Sequence, residues 1–168
     1  MPHMNDVESK LYRLNVGIVL VNRQGQIFSG KRLQPVSPYW QMPQGGVKDG
    51  EDLGMAAKRE LEEEIGTTQV DCWAESKTWH VYDFPTSFLS SPNPLWNGTY
   101  RGQRQRWFLF GFLGKDAHIN LHTPIPEFMD WKWSSPETVI QEAIPFKISI
   151  YQAVLKEFLP IICEKMHT

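Results

Sequence analysis

"PQGGVKDGEDLGMAAKRELEEEIG", residues 43–66, decides how the chain is read. Its second half has a helical pattern. Leu53, Ala57 and Leu61 recur every four residues between Glu51 and Ile65, with Ala56 adjacent. Asp49, Glu51 and Asp52 suit the positive end of a helix, and Gly66 is a natural stop. The first half holds two adjacent glycines, Gly45 and Gly46, in a turn that can bring a strand and the helix together. On that helix Glu60, Glu63 and Glu64 stand at i, i+3 and i+4 and share a face. Leu61 and Ala57 are expected on the other side, toward the core, and Glu62 toward solvent. Like charges at these spacings repel. A solvated acidic face is the common reading of such a helix. Solvated faces usually mix both signs, whereas this one stacks carboxylates without lysine partners. A divalent cation reverses the repulsion, and magnesium and manganese prefer oxygen ligands, often shared with substrate phosphates. Arg59, one turn before Glu63, is placed to hold it by charge-assisted hydrogen bonds.

Outward from this segment, the chain alternates strands with a few helices. Residues 15–22 read as a buried strand, 23–26 as a turn and 27–32 as a returning strand, giving a hairpin. Residues 69–83 and 104–114 read as strands, and 131–135 as a short strand before a helix start. Residues 85–103, rich in Pro, Ser, Asn and Gly, read as a long loop of the kind that is often functional. The last helix is expected from Phe146 to about Lys165, with Ile150, Val154, Phe158 and Ile162 spaced by four. The pattern indicates an α/β (α+β) domain over residues 12–165 after an N-terminal tail of residues 1–11.

Composition narrows the function classes. The chain has 168 residues and a net charge of -2, so no overall basic field attracts nucleic acid, and any such contact needs a local patch. Seven tryptophans could serve a core or stacking platforms. Cys72 and Cys163 make no Cys-x-x-Cys pair, and His118 and His122 sit in a loop-like stretch, which disfavours structural zinc and disulfides. No apolar run approaches a membrane span and no signal-peptide core is present, so a cytoplasmic location is expected.

The spacing of the segment is specific. Gly45, five intervening residues, Glu51, seven more, then Arg59-Glu60-Leu61-x-Glu63-Glu64-x-Gly66 resembles the Nudix box. Thr67 departs from it where a bulky aliphatic residue is usual, a change that touches packing. Residues 12–26, 40–46, 101–110, 126–133 and 145–158 look like the bacterial branch containing RNA 5′-pyrophosphohydrolases and dinucleoside polyphosphate hydrolases. Leu14 and the stretch 33–39 depart from that branch.

The resemblance implies an α/β/α sandwich with a mixed sheet and a metal-dependent hydrolase of pyrophosphate linkages. The leading substrate is the 5′ end of triphosphorylated RNA. The alternative is asymmetric cleavage of dinucleoside polyphosphates such as diadenosine tetraphosphate. By the same resemblance, Glu60, Glu63 and Glu64 bind magnesium or manganese, with Glu127 and Gly45 contributing to the metal site and Arg59 to catalysis. The general base is one of the box glutamates or Glu127, and Glu51 holds the loop. Arg13, Arg32, Gln44, Tyr82, Phe146 and Lys147 match substrate-binding positions. Arg13 and Arg32 read equally well as surface charges, and Tyr82 as packing. Gln103, Arg104 and Arg106 are further pocket candidates on an alternating strand, with Gln105 facing away. No membrane or stable protein partner is expected.

Overall fold

The structure, a computed structural model, describes residues 11–34, 36–86 and 100–167. Strands β1 (Tyr12–Val21), β2 (Ile27–Arg32), β3 (Trp40–Gln41) and β4 (Gln44–Gly46) precede helix α1 (Leu53–Ile65). Then come β5 (Val70–Glu75), β6 (His80–Asp83), β7 (Gly102–Phe112) and β8 (Phe128–Ser134). Helices α2 (Pro136–Gln141) and α3 (Ile148–Met166) close the chain.

β1 and β7 form the parallel centre of one mixed sheet, paired from Tyr12↔Gly102 to Val21↔Gly111. Strands buried on both faces read as continuous apolar runs, and β1 has that character. Val16, Ile18 and Leu20 pack with Phe108, Phe110 and α1 residues Ala56, Ala57, Leu61 and Ile65. Val19 and Val21 face the other way, with Trp107, Leu109 and the α3 residues Val154, Leu155 and Phe158. The result is the expected α/β/α sandwich.

The hairpin expected from residues 15–32 opens almost at once. β1 and β2 share a single registered pair, Val21↔Ile27. β2 then pairs with β8, and β4 takes the vacated edge of β1 through Asn15↔Gly46, Val16↔Gly45 and Gly17↔Gln44. Asn22 closes the turn, its Oδ1 accepting from the backbone of Gln24 and Gln26.

Other boundaries shift for local reasons. The strand expected over 69–83 breaks after Glu75, where Ser76 turns back to donate its backbone N–H to Trp107 O. β7 begins two residues earlier than expected and ends at Phe112. β8 starts at Phe128 because β2 supplies a partner there. α3 begins at Ile148, since Pro145–Lys147 forms a separate 3-10 turn. Of the loop expected over 85–103, residues 87–99 lie outside the described residues, as do residues 1–10 of the expected tail.

Gly45 sets the distance between β4 and α1. A Cβ there would lie 2.0 Å from Glu60 Cδ, and one on Gly46 would lie 2.3 Å from Arg13 Nη2. A side chain on Gly45 would displace the buried Glu60 carboxyl, whereas one on Gly46 would displace only the tip of the flexible Arg13 side chain. Gly45→Ala is therefore expected to destabilise the protein by about 1–3 kcal/mol through overpacking. Urea unfolding checks this, and unchanged stability would show that α1 can move away freely.

Candidate functional site

α1 starts at Asp52, whose Oδ2 accepts from Met55 N at 3.1 Å, and stops at Gly66, whose left-handed backbone (φ 73°) donates to Glu62 O. Thr67, in the position of the expected aliphatic residue, is buried and its hydroxyl accepts from Gln69 N. The helix buries one continuous arc containing Ala56, Ala57, Glu60, Leu61 and Glu64. This corrects the expectation of carboxylates on one side and core on the other. At 100° per residue, Glu64 falls between Glu60 and Leu61, so two glutamates enter the wall with the apolar residues. Glu62 and Glu63 are exposed.

Arg59 braces the acids. Its Nε and Nη2 donate to Glu51 at 2.8 and 2.9 Å, and Nη2 also donates to Gly46 O at 2.8 Å. Its Nη1 donates to Glu60 Oε1 at 2.9 Å and lies 3.3 Å from Glu63. These hydrogen bonds pull the Glu51 carboxyl down to about 2. Glu51 also accepts from Lys48 N at 3.0 Å, so it ties the loop to the helix.

Burial has the opposite effect on the other two acids. It pushes Glu60 up to about 7 against the pull of Arg59, with Glu63 and Glu127 adding repulsion. It pushes the fully buried Glu64 well above the ordinary carboxylate range, and the charge of Glu127 adds to this. Neither carboxyl oxygen of Glu64 makes a well-aligned hydrogen bond among the described residues, although the Gln44 backbone and the Glu127 carboxyl stand close beside it. Buried polar oxygens without partners are costly and rare. A divalent cation fits this donor set, because oxygen ligands with unmet electrostatic demand are what hard cations take. The acids are neighbours but not yet a closed shell: among the described residues, no three carboxylate, imidazole or thiolate side chains are gathered in coordinating positions.

A hollow of about 520 Å³ opens beside these acids, with Glu60, Glu63 and Glu127 on one wall and Arg13 and Arg32 among its other lining residues. Gln44, Gly45 and Gln103 also line it. A smaller hollow of about 90 Å³ shares Arg32, Gln44 and Gln103 and adds Tyr82, Phe84, Phe146 and Lys147. Tyr82 and Phe146 lie with ring centroids 5.8 Å apart. Lys147 is buried, and its Nζ donates to Gln44 Oε1 at 3.0 Å. Burial, helped by Arg32, lowers the Lys147 ammonium to about 7.

Sequence reasoning named Gln44 and Gln103 as pocket residues but missed Asn15 and the part played by Gln105. Gln105 Nε2 donates to Asn15 Oδ1 at 2.7 Å and to Gln44 Oε1 at 3.2 Å, while Trp107 Nε1 donates to Gln105 Oε1. Tyr82 donates its hydroxyl proton to Gln103 Oε1. The strand phase thus differs from the expectation. Gln103 and Gln105 face the pocket side, and Arg104 and Arg106 face away, over Trp79. A spacing of two between Gln103 and Gln105 was the available signal; the parity of Trp107, which packs toward α3, would have fixed it.

Comparison with known proteins follows this geometry. The NUDIX domain pattern matches residues 11–154. An RNA pyrophosphohydrolase of Wolbachia pipientis subsp. Culex pipiens (strain wPip) is 50% identical over 157 residues, covering 92% of this chain and 94% of that protein. One from Rickettsia prowazekii (strain Madrid E) is 48% identical over 151 residues, covering 90% and 92%. The E. coli dihydroneopterin triphosphate pyrophosphohydrolase structure shares the fold at a TM-score of 0.65 and 17% identity, covering 88% of this chain and 97% of its own. A C. elegans Ap4A hydrolase complex does so at 0.59 and 22%, covering 87% and 98%. Matched along most of its length by the family pattern and by relatives of this identity, the chain belongs to the NUDIX domain family.

Proposed function

We propose that this NUDIX protein removes pyrophosphate from the 5′ end of triphosphorylated RNA, using magnesium or manganese. NUDIX proteins generally use divalent cations. The similar RNA pyrophosphohydrolases, alike over about nine tenths of both chains, support the substrate. One observation carries the chemistry. The buried Glu64 carboxyl, without a well-aligned hydrogen bond, lies beside Glu60 and Glu127, next to a hollow that Arg13 and Arg32 also line.

In this reading Glu60, Glu63, Glu64 and Glu127 hold the cation, with Gly45 giving them room. When bound, the ion neutralises polyphosphate charge and lowers the pKa of a bound water. Arg13 and Arg32 hold the phosphate oxygens opposite the acids. Phe146 and Tyr82 pack against the first base, and Lys147 and Gln44 fix the polar groups at the junction of the two hollows. Water adds to phosphorus, the anhydride oxygen leaves with pyrophosphate, and the RNA keeps a 5′-monophosphate. The water proton passes to a carboxylate of the cluster. Positioning and electrostatics carry most of such phosphoryl transfer. A cytoplasmic setting belongs to the same reading and accords with two free cysteines. Among the described residues no helix is long and apolar enough to cross a membrane.

Because the chemistry is shared, dinucleoside polyphosphates are the substrates to test against. With both substrates supplied together, triphosphorylated RNA is expected to show the higher kcat/KM. Faster turnover of diadenosine tetraphosphate with little on RNA would reverse the assignment.

Glu63 is exposed, so Glu63→Gln is expected to change stability by less than about 0.5 kcal/mol. The same variant should lower kcat at least about 100-fold. Thermal unfolding and steady-state turnover separate the two effects, and an unchanged kcat removes Glu63 from the site.

Glu60 rises from 4.5 to about 7 on folding, so folding favours its protonated form. That stabilisation is fully present below about pH 4.5 and is lost as pH rises through about 7. Relative to Glu60→Gln, the cation-free protein should lose on the order of 3 kcal/mol across that window. Parallel pH-stability curves for the two proteins would contradict this.

A further inference from the structure

An RNA chain outgrows the hollow proposed for its 5′ end, and a net charge of -2 gives no general attraction for its phosphates. Phosphates beyond the first nucleotides need a local basic surface. The half-buried arginines at the start of β7, on the face opposite Gln103 and Gln105, supply one. The Arg104 and Arg106 guanidiniums lie 4.0 and 5.3 Å from the centroid of the Trp79 ring. An arginine stacked on an indole keeps its in-plane N–H donors free for a planar or anionic partner.

Those donors are under-used inside the protein. Arg106 Nε lies 3.3 Å from Glu75 Oε1, and Glu75 is 46% exposed. Arg104 has no ion pair among the described residues; the Nε atoms of both arginines are buried, so only the terminal guanidinium nitrogens can meet an outside partner. A single carboxylate therefore stands against two adjacent guanidiniums. Partial burial, with the neighbouring Arg106 charge adding to it, lowers the Arg104 pKa.

The patch adjoins the pocket through one two-stranded ribbon. Tyr82 pairs with Gln103 and Val81 with Arg104, so successive residues of β6 and β7 face the pocket and the patch in turn. Among the described strands β6 pairs with β7 alone, which leaves it as an edge. An RNA strand leaving the pocket past Tyr82 meets the patch by turning over this edge.

We infer that Arg104 and Arg106, held over Trp79, dock the phosphodiester backbone of the substrate RNA downstream of its 5′ end. The inference rests on the RNA reading above. If the arginines merely cover the sheet, their loss would act on every substrate alike.

The test uses the double variant Arg104→Gln/Arg106→Gln and the single variant Arg104→Lys. Each is assayed on a 5′-triphosphorylated dinucleotide and on an unstructured 5′-triphosphorylated RNA of about 20 nucleotides, long enough to leave the pocket. Binding of a 5′-hydroxyl RNA of the same length is followed by fluorescence anisotropy. The double variant should raise KM for the long RNA by about 5- to 10-fold at low salt and leave the dinucleotide within about two-fold. Its log-log salt slope for RNA binding should flatten by about 0.7 per lost contact. Arg104→Lys, which keeps the charge, should retain most of that slope. Equal losses on both lengths, or no loss on either, would overturn the docking surface. Failure of the wild-type protein on all triphosphorylated RNA would instead sink the functional reading, and the 5′-hydroxyl binding would still decide the patch.

Discussion

Gly45 carries no side chain, and the carboxyl group of Glu60 occupies the space one would need. The rest of the site depends on that close approach. It requires β4 to lie on β1, and β4 finds room because β1 and β2 separate after a single pair. With β4 in place, α1 settles against it and buries Glu60 and Glu64 in the same arc as its apolar residues. Two acids thus occupy a wall where carboxylates are ordinarily excluded.

The protein compensates only part of this charge. Arg59 is divided among Glu51, Glu60, Glu63 and the Gly46 carbonyl, and does not reach Glu64. Glu60 and Glu64 are accordingly held toward their protonated forms. Lys147 is in the converse situation: a buried ammonium held toward its neutral form, with Arg32 repelling it. The acids near Glu60 and the bases Arg32 and Lys147 meet around Gln44, where the charge of Glu64 favours the Lys147 ammonium but is outweighed by burial. Under the function proposed, a cation with a polyphosphate would satisfy both at once. The buried amides Asn15, Gln103 and Gln105 keep that junction in register.

Much of this was legible in local spacing. The recurrence of Leu53, Ala57 and Leu61 marked α1, and the four-residue spacing of Ile150, Val154, Phe158 and Ile162 marked α3. Arg59 and Glu63 are one helical turn apart, so their contact followed from periodicity. Long-range pairing was not legible. Nothing near residues 15–32 announces that β1 will pair with β7 rather than extend a hairpin. The burial of Glu64 was hidden because it depends on where β4 lies. The direction of Arg104 was hidden because both parities of "RQRWFLF" end in large apolar residues, and only packing against α3 settles which side Trp107 takes.

The central claim is that the buried acids of α1 wait as protonated groups for a cation. Calorimetric titration of the protein with magnesium near about pH 6, in two buffers of different ionisation enthalpy, counts the protons released as the ion binds. With Glu60 raised to about 7 and Glu64 pushed well above the ordinary carboxylate range, the account predicts release of at least about one proton per bound ion. Binding with the same enthalpy in both buffers, and hence with no proton released, would contradict it.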